Sequence, residues 1–155
     1  MKNEIIIPDD VITNKIYMIR DQKVMLDRDL AKLYNVETKQ LKRQVRRNIE
    51  QFPEDFMFQL NTIEFKNWRS QFGSSNTTDK MGLRYAPFAF TEQGVAMLSS
   101  ILNSPTAIKV NIQIIRIFIK ARQILINTIH LQLEIEKIKR QLSNHNKNIE
   151  LVFEY

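Results

Sequence analysis

Two periodicities alternate along the first hundred residues. Residues 15–27, K-I-Y-M-I-R-D-Q-K-V-M-L-D, hold two short β-favouring runs around a polar connector, Arg20 to Lys23, and predict a hairpin. A 3.6-residue period then takes over. Asp27 stands where an N-cap belongs, ahead of R-D-L-A-K-L-Y, and Asn35, which tolerates left-handed backbone, ends that helix. A second helix starts near Thr38, another acceptable cap, and runs to about Glu50, with Phe52-Pro53 closing it. Phe56, Phe58 and Leu60 alternate with Met57, Gln59 and Asn61, the pattern of a half-buried strand. Ile63, Phe65, Trp68 and Phe72 mark a short helix capped by Thr62. Residues 73–82, G-S-S-N-T-T-D-K-M-G, form a loop on composition, expected to be mobile. Its Ser74, Ser75, Asn76, Thr77, Thr78 and Lys80 offer small donors suited to phosphate, although a plain surface loop fits as well. L-R-Y-A-P-F-A-F-T at 83–91 predicts another strand, placed at a sheet edge by Pro87. Thr91 and Glu92 then cap a helix through V-A-M-L-S-S-I-L that Asn103 stops.

Ser104-Pro105 opens the last element. No Gly or Pro follows, so one helix of roughly 70 Å is expected if ~45 residues hold. Apolar residues recur there at 3-4 spacing: Val110, Ile114, Ile117, Ala121, Ile124, Thr128, Leu131, Ile135, Ile138 and Leu142, continuing through His145 to Ile149 and Val152. A second stripe, Ile112, Ile115, Ile119, Ile126 and Ile129, occupies only the first half. Two apolar faces predict that one packs on the preceding domain while the other meets a partner helix. The alternative is a single helix folded back on its own domain. The expected self-association residues are Ile117, Ile124, Leu131, Ile135, Ile138 and Leu142, and the expected product is a homodimer or higher coiled-coil oligomer. The element order is β-β-α-α-β-α-β-α and then the long helix. This is an α+β chain with a domain over 1–104 and a coiled-coil helix over 105–155.

Composition narrows the function classes. With 155 residues, 43% of them hydrophobic and 26% charged, the chain suits one globular core plus an extension. Three Gly and four Pro argue for helices over a loop-rich β protein. The chain has no Cys, which removes disulfides, thiolate nucleophiles and Cys-based metal sites and suits a reducing cytoplasm. Ile5 to Ile7 is too short for a signal-peptide apolar region, and Lys109, Arg116, Lys120 and Arg122 break the most apolar window. A cytoplasmic location without membrane insertion is expected. His130 and His145 have no acid or Cys at metal-ligand spacing. Asp9-Asp10 and Glu54-Asp55 read as cap and loop residues rather than a catalytic dyad, and Trp68 and the Phe residues read as core. Phosphate-binding glycine loops and nucleophile motifs are missing. The expectation is therefore a protein without catalytic activity, cofactor or metal.

Charge changes the picture more. The chain carries +6 with an isoelectric point near 9.6. Residues 1–104 are nearly balanced in sign, yet Lys39, Lys42, Arg43, Arg46 and Arg47 crowd one segment without an acid between Thr38 and Ile49. At 100° per residue Leu41, Val45, Asn48 and Ile49 share one side of that helix. Lys39, Gln40, Arg43, Arg46 and Arg47 take the other, with Lys42 on the flank. Leu30, Leu33 and Val36 supply the packing beneath. A helix, a short turn and a second helix with a basic outer face make a helix-turn-helix arrangement. A solvated charged face is the plainer reading, but such faces usually mix signs. On a major-groove helix, Arg43 and Arg47 are expected at base edges, Gln40 at adenine, and Lys39, Lys42 and Arg46 on phosphates.

Three motifs, L-D-R-D-L-A-K-L-Y-N-V-E-T-K-Q-L-K-R-Q-V-R-R-N, F-P-E-D-F-M-F-Q-L and F-T-E-Q-G-V-A-M-L-S-S-I-L-N-S, resemble the phage KilA-N/Bro-N superfamily. The nearest likeness is to the ORF-six N-terminal domain of antirepressor-like proteins. The resemblance covers roughly residues 10–105. It implies a winged-helix-like α+β head that binds double-stranded DNA, carried by phages and prophages and joined to a variable C-terminal region. Family members often have Gly where this chain has Asn35, a residue that can take the same backbone conformation. The resemblance transfers no individual DNA contact. The expected function is sequence-specific DNA binding by a transcription regulator of antirepressor type. The alternative is an antirepressor that captures a phage repressor protein through the C-terminal helix, with little DNA binding of its own.

Overall fold

The computed structural model describes residues 7–72 and 85–153. The loop expected at 73–82 lies outside them. The elements are α1 (Asp9–Thr13), β1 (Ile16–Ile19), β2 (Gln22–Leu26), α2 (Asp27–Tyr34), α3 (Thr38–Arg47), β3 (Met57–Gln59), α4 (Thr62–Phe72), β4 (Phe88–Phe90), α5 (Glu92–Leu102) and α6 (Pro105–Phe153). The fold is mixed α+β, as expected, with one addition at the start. Pro8, at φ −61°, leads into α1, whose Ile12 is fully buried. The Asp9-Asp10 pair therefore opens a helix. Five residues are too few to show a periodicity of their own.

The sheet has four antiparallel strands in the order β1-β2-β4-β3. The hairpin turn is only Arg20 and Asp21, both left-handed at φ 55° and 58°, so Gln22 and Lys23 pair with Ile19 and Met18 instead of extending the connector. Two left-handed residues give the turn a twist that matches the strands. Arg20 is held there by Glu64, at 2.7 and 2.9 Å, and lies 4.1 Å from the centre of the Phe58 ring. The Arg20 guanidinium, hydrogen-bonded to Glu64, lowers its carboxyl from the ordinary value. β4 is a central strand, not the edge that Pro87 suggested. Pro87 precedes the strand, where its missing N–H costs no ladder bond, and its carbonyl accepts the Leu60 N–H at 3.0 Å.

Both sheet faces are covered, which corrects the half-buried expectation for β3: Met57 and Phe58 are both buried. Val24, Leu26, Phe58 and Ala89 pack with Phe65 of α4. Met25, Met57 and Phe90 meet across the three neighbouring strands on the other face, where α5 lies against β2 and β4. The cap of α4 is Asn61, not Thr62. Asn61 and Glu64 exchange side-chain to backbone bonds at 2.8 and 2.9 Å, a capping box. On α4 Phe65 alone is buried, while Ile63 and Phe72 are mostly exposed. Trp68 stands edge-on to Tyr17 at 5.6 Å, a packing role.

Thr91 caps α5 by accepting the Gly94 N–H at 3.4 Å. Gly94 is required there because a Cβ would sit 1.9 Å from the Phe56 carbonyl oxygen. Asn103 ends α5 in left-handed backbone at φ 42°. Ser104 then caps α6, accepting the Ala107 N–H at 3.1 Å. The chain separates into two compact units, Met1–Ile117 and Phe118–Tyr155, so the opening turns of α6 pack with the first unit.

Candidate nucleic-acid interface

The basic segment is presented by two helices and a tight turn. α2 ends as the sequence predicts: Asn35 is left-handed at φ 59°, ψ 44°. The Val36 N–H reaches the Ala31 carbonyl at 2.9 Å and the Asn35 N–H reaches Lys32 at 3.2 Å, a Schellman closure. Three residues later α3 begins. It stops at Arg47, not Glu50, because Asn48 leaves helical geometry (φ −120°, ψ 32°) and a 3-10 turn follows over Ile49–Gln51. Ile49 consequently leaves the core face and is half exposed.

Leu41 and Val45 are fully buried and fix the orientation of α3, which packs against α2 and α5. Lys39, Gln40, Arg43, Arg46 and Arg47 are all exposed, on the side where the periodicity put them. Among the described residues, no hydrogen bond or ion pair engages Lys39, Gln40, Arg43 or Arg47. Arg46 is steadied by the Phe88 ring, 5.6 Å from its guanidinium carbon.

Lys42 is placed differently from the other bases. Its ammonium lies 3.4 Å from the Asp27 Oδ2 atom, with its side chain only 12% exposed. It also approaches the Phe88 ring at 5.2 Å and the Tyr85 ring at 5.9 Å. Asp27 is fully buried and is not the expected N-cap. Its Oδ2 accepts the Phe88 N–H at 2.9 Å and its Oδ1 accepts the Arg28 N–H at 2.7 Å. One carboxylate thus ties α2, α3 and β4 together. Burial holds the Asp27 carboxyl above its ordinary range, against the pull of the Phe88 N–H and of Lys42. The run between Thr38 and Ile49 has no acid in sequence, but folding supplies one. Lys42 is paired inward with Asp27, unlike the exposed bases of the same helix. Asp27 and Phe88 could not be connected with it from sequence, because no period links a strand–helix junction, a helix flank and a later strand.

A second buried polar contact braces the helix pair. Tyr34, at the end of α2, donates its hydroxyl to Asn111 of α6, and the Asn111 amide donates to the Val95 carbonyl of α5 at 2.9 Å. Burial raises the Tyr34 phenol far above its ordinary range, so it acts as a neutral donor.

Residues 14–101 match the ORF6N domain, more than half of the chain. The chain belongs to the ORF6N-domain family. The match runs from the start of the hairpin into α5, so Asp27, α3 and Lys42 all fall inside the domain while α6 follows it. The likeness carried by the three sequence motifs is thereby shown, and it groups the chain with phage-type, antirepressor-like regulatory proteins. No curated protein and no solved structure matches the chain.

The expected self-association residues divide in two. Ile117 is buried in the first unit, at 7% exposure. Ile124, Leu131, Ile135, Ile138 and Leu142 are exposed, as are both histidines. Of the second stripe, Ile112, Ile119, Ile126 and Ile129 are also exposed. Among the described residues no helix is long and apolar enough to cross a membrane.

Proposed function

We propose that this ORF6N protein binds double-stranded DNA sequence-specifically, with α2 and α3 serving as a helix-turn-helix and α3 as the helix that enters the major groove. The observation that carries the reading is the outer face of α3. Arg43, Arg47, Gln40 and Lys39 stand exposed over a helix whose inner face is pinned by Leu41, Val45 and the Lys42–Asp27 pair. Guanidinium forks on a fixed helix suit guanine, and the Gln40 amide suits adenine. Lys39 and Arg46 are placed for phosphates. Lys42 sets the helix instead of touching the ligand.

The exposed apolar residues of α6 support a homodimer as the working form. Two reading helices on one particle would select two half-sites, with a palindromic target. These same residues favour a second reading, capture of a repressor protein through α6. Salt separates the two. Phosphate contacts lose affinity steeply as salt rises, whereas apolar helix capture does not.

The deciding experiment is selection of bound sequences from random duplex DNA at two salt concentrations, followed by variants of the winning site. Arg43→Ala or Arg47→Ala should cost about 1–3 kcal/mol and relax preference at one position, while Lys39→Ala should weaken all sequences alike. Equal binding by the parent and both arginine variants at low salt would remove the major-groove assignment.

A further inference from the structure

The exposed stretch of α6 carries a charge pattern that its apolar seam leaves unexplained. Ile124, Leu131 and Ile138 are spaced by sevens, as are Ile135 and Leu142, so the two sets take the d and a positions of a heptad. In that frame Glu134 is a g position and Lys139 is the next e position. All these side chains are exposed, and among the described residues none of the apolar ones is covered. The opposite apolar stripe is interrupted by Arg122, Glu136 and Arg140. The a/d seam is the one that continues.

We infer that α6 pairs with a second copy of itself in parallel and in register. The inference rests on the homodimer reading above and adds its direction. In a parallel pair a g residue faces the e residue that follows it on the partner helix, so Glu134 meets Lys139 twice, once from each chain. In an antiparallel pair g faces g and e faces e. Glu134 then meets Lys120, Asn127, Gln141, Asn148 or another Glu134, and Lys139 meets only uncharged residues or another Lys139. No antiparallel register joins Glu134 to Lys139, and the one that joins Glu134 to Lys120 sets Ile135, Ile138 and Leu142 against Ile117, Ile114 and Val110 of the second copy, which are buried. Parallel pairing therefore selects both occupant and direction: a second copy of this chain supplies the complementary charge. It also brings the two residue-118 ends together, so both ORF6N domains leave the same end of the paired helix.

The chain's lack of cysteine makes the test direct. Ile124→Cys and Leu142→Cys are made separately in the full chain and oxidised gently. Parallel pairing should disulfide-link each variant to its own copy. An antiparallel pair can bring only one such like pair together, because the two sites lie about 27 Å apart along the helix. A dimer in which only one variant, or neither, links to itself overturns the direction but leaves the homodimer reading intact. A parent chain that sediments as a monomer at micromolar concentration overturns both. The charge register has its own arm. Glu134→Lys and Lys139→Glu should each weaken dimerisation roughly three- to tenfold, and mixing the two variants should restore it as heterodimers. Unrestored mixtures would reject the Glu134–Lys139 register.

Discussion

The two stretches of α6 carry the same 3-4 repeat and meet opposite fates. Ala107, Val110, Ile114 and Ile117 are buried in the first unit. Ile124, Leu131, Ile135, Ile138 and Leu142 continue the repeat and are between 43% and 64% exposed. A repeat states which side chains share a face. It does not state what covers that face. The same lesson appears on α3, where Lys42 and Arg43 are neighbours in sequence and both strongly basic. Lys42 is drawn under the helix by Asp27, whereas Arg43 stands in solvent.

The sharpest way to break this comparison is to remove the inward partner. Asp27→Ala would strand the Lys42 ammonium and the buried Phe88 N–H, with an expected loss of about 3–5 kcal/mol of unfolding free energy. Chemical denaturation would show it. A loss under 1 kcal/mol would mean that Lys42 simply turns outward and that the inside–outside distinction on α3 is soft.

Next in size is the repeat itself. Ile114→Ala should cost about 2–5 kcal/mol through lost burial and the cavity left behind. Ile135→Ala, at a concentration where the chain is monomeric, should change unfolding by less than about 0.5 kcal/mol. Equal losses at the two positions would show that something covers both stretches. The double change Leu131→Asp with Ile138→Asp should give monomers by sedimentation while leaving the thermal transition of the ORF6N domain in place.

Smaller still is the polar brace in the covered stretch. Tyr34→Phe leaves Asn111 Oδ1 buried without its donor, at an expected cost of about 1–2 kcal/mol by the same denaturation. The exposed part of α6 has no comparable buried polar group among its described residues, so Gln123→Ala there should be silent.

The smallest effect is in pH. Burial raises the carboxyls of Asp27 and Asp29 above their ordinary value, most of all by desolvation. Between the unfolded value of 3.8 and the raised folded values, the folded chain binds more protons than the unfolded one. Stability from these two groups is therefore highest below that window and declines as pH rises through it. Glu64 works the other way: its contribution is present above its ordinary value and disappears as pH falls through the lowered one. Denaturation midpoints of Glu64→Gln against the parent should converge at acid pH. Midpoints that keep a constant gap would reject the Arg20–Glu64 pairing as the cause.

Most local elements were legible because their causes are local. The left-handed stop at Asn35, the helix stop at Asn103, the cap at Thr91, the helical period of α2, α3 and α5, and the unbroken α6 all depend on residues within a few positions of one another. The outer face of α3 was legible for the same reason: Leu41 and Val45 fix it by period alone. What the sequence left open concerns partners far apart. The central place of β4 depends on pairing with β2 and β3, and no local signal ranks those strands. Pro87 marked the strand's entry and was mistaken for a mark of its position in the sheet.

By itself, then, the sequence determined every element type except α1, the basic face, the two stripes of α6 and membership in the ORF6N family, since periodicity and motif are written in consecutive residues. Tertiary structure alone decided that Asp27 is a buried anchor, that Lys42 faces inward and that Ile117 belongs to the core. Each of those outcomes is a desolvation balance between groups distant in sequence. A charge or a methyl group stays buried only where the fold brings it a partner or a cover, and only packing brings those together.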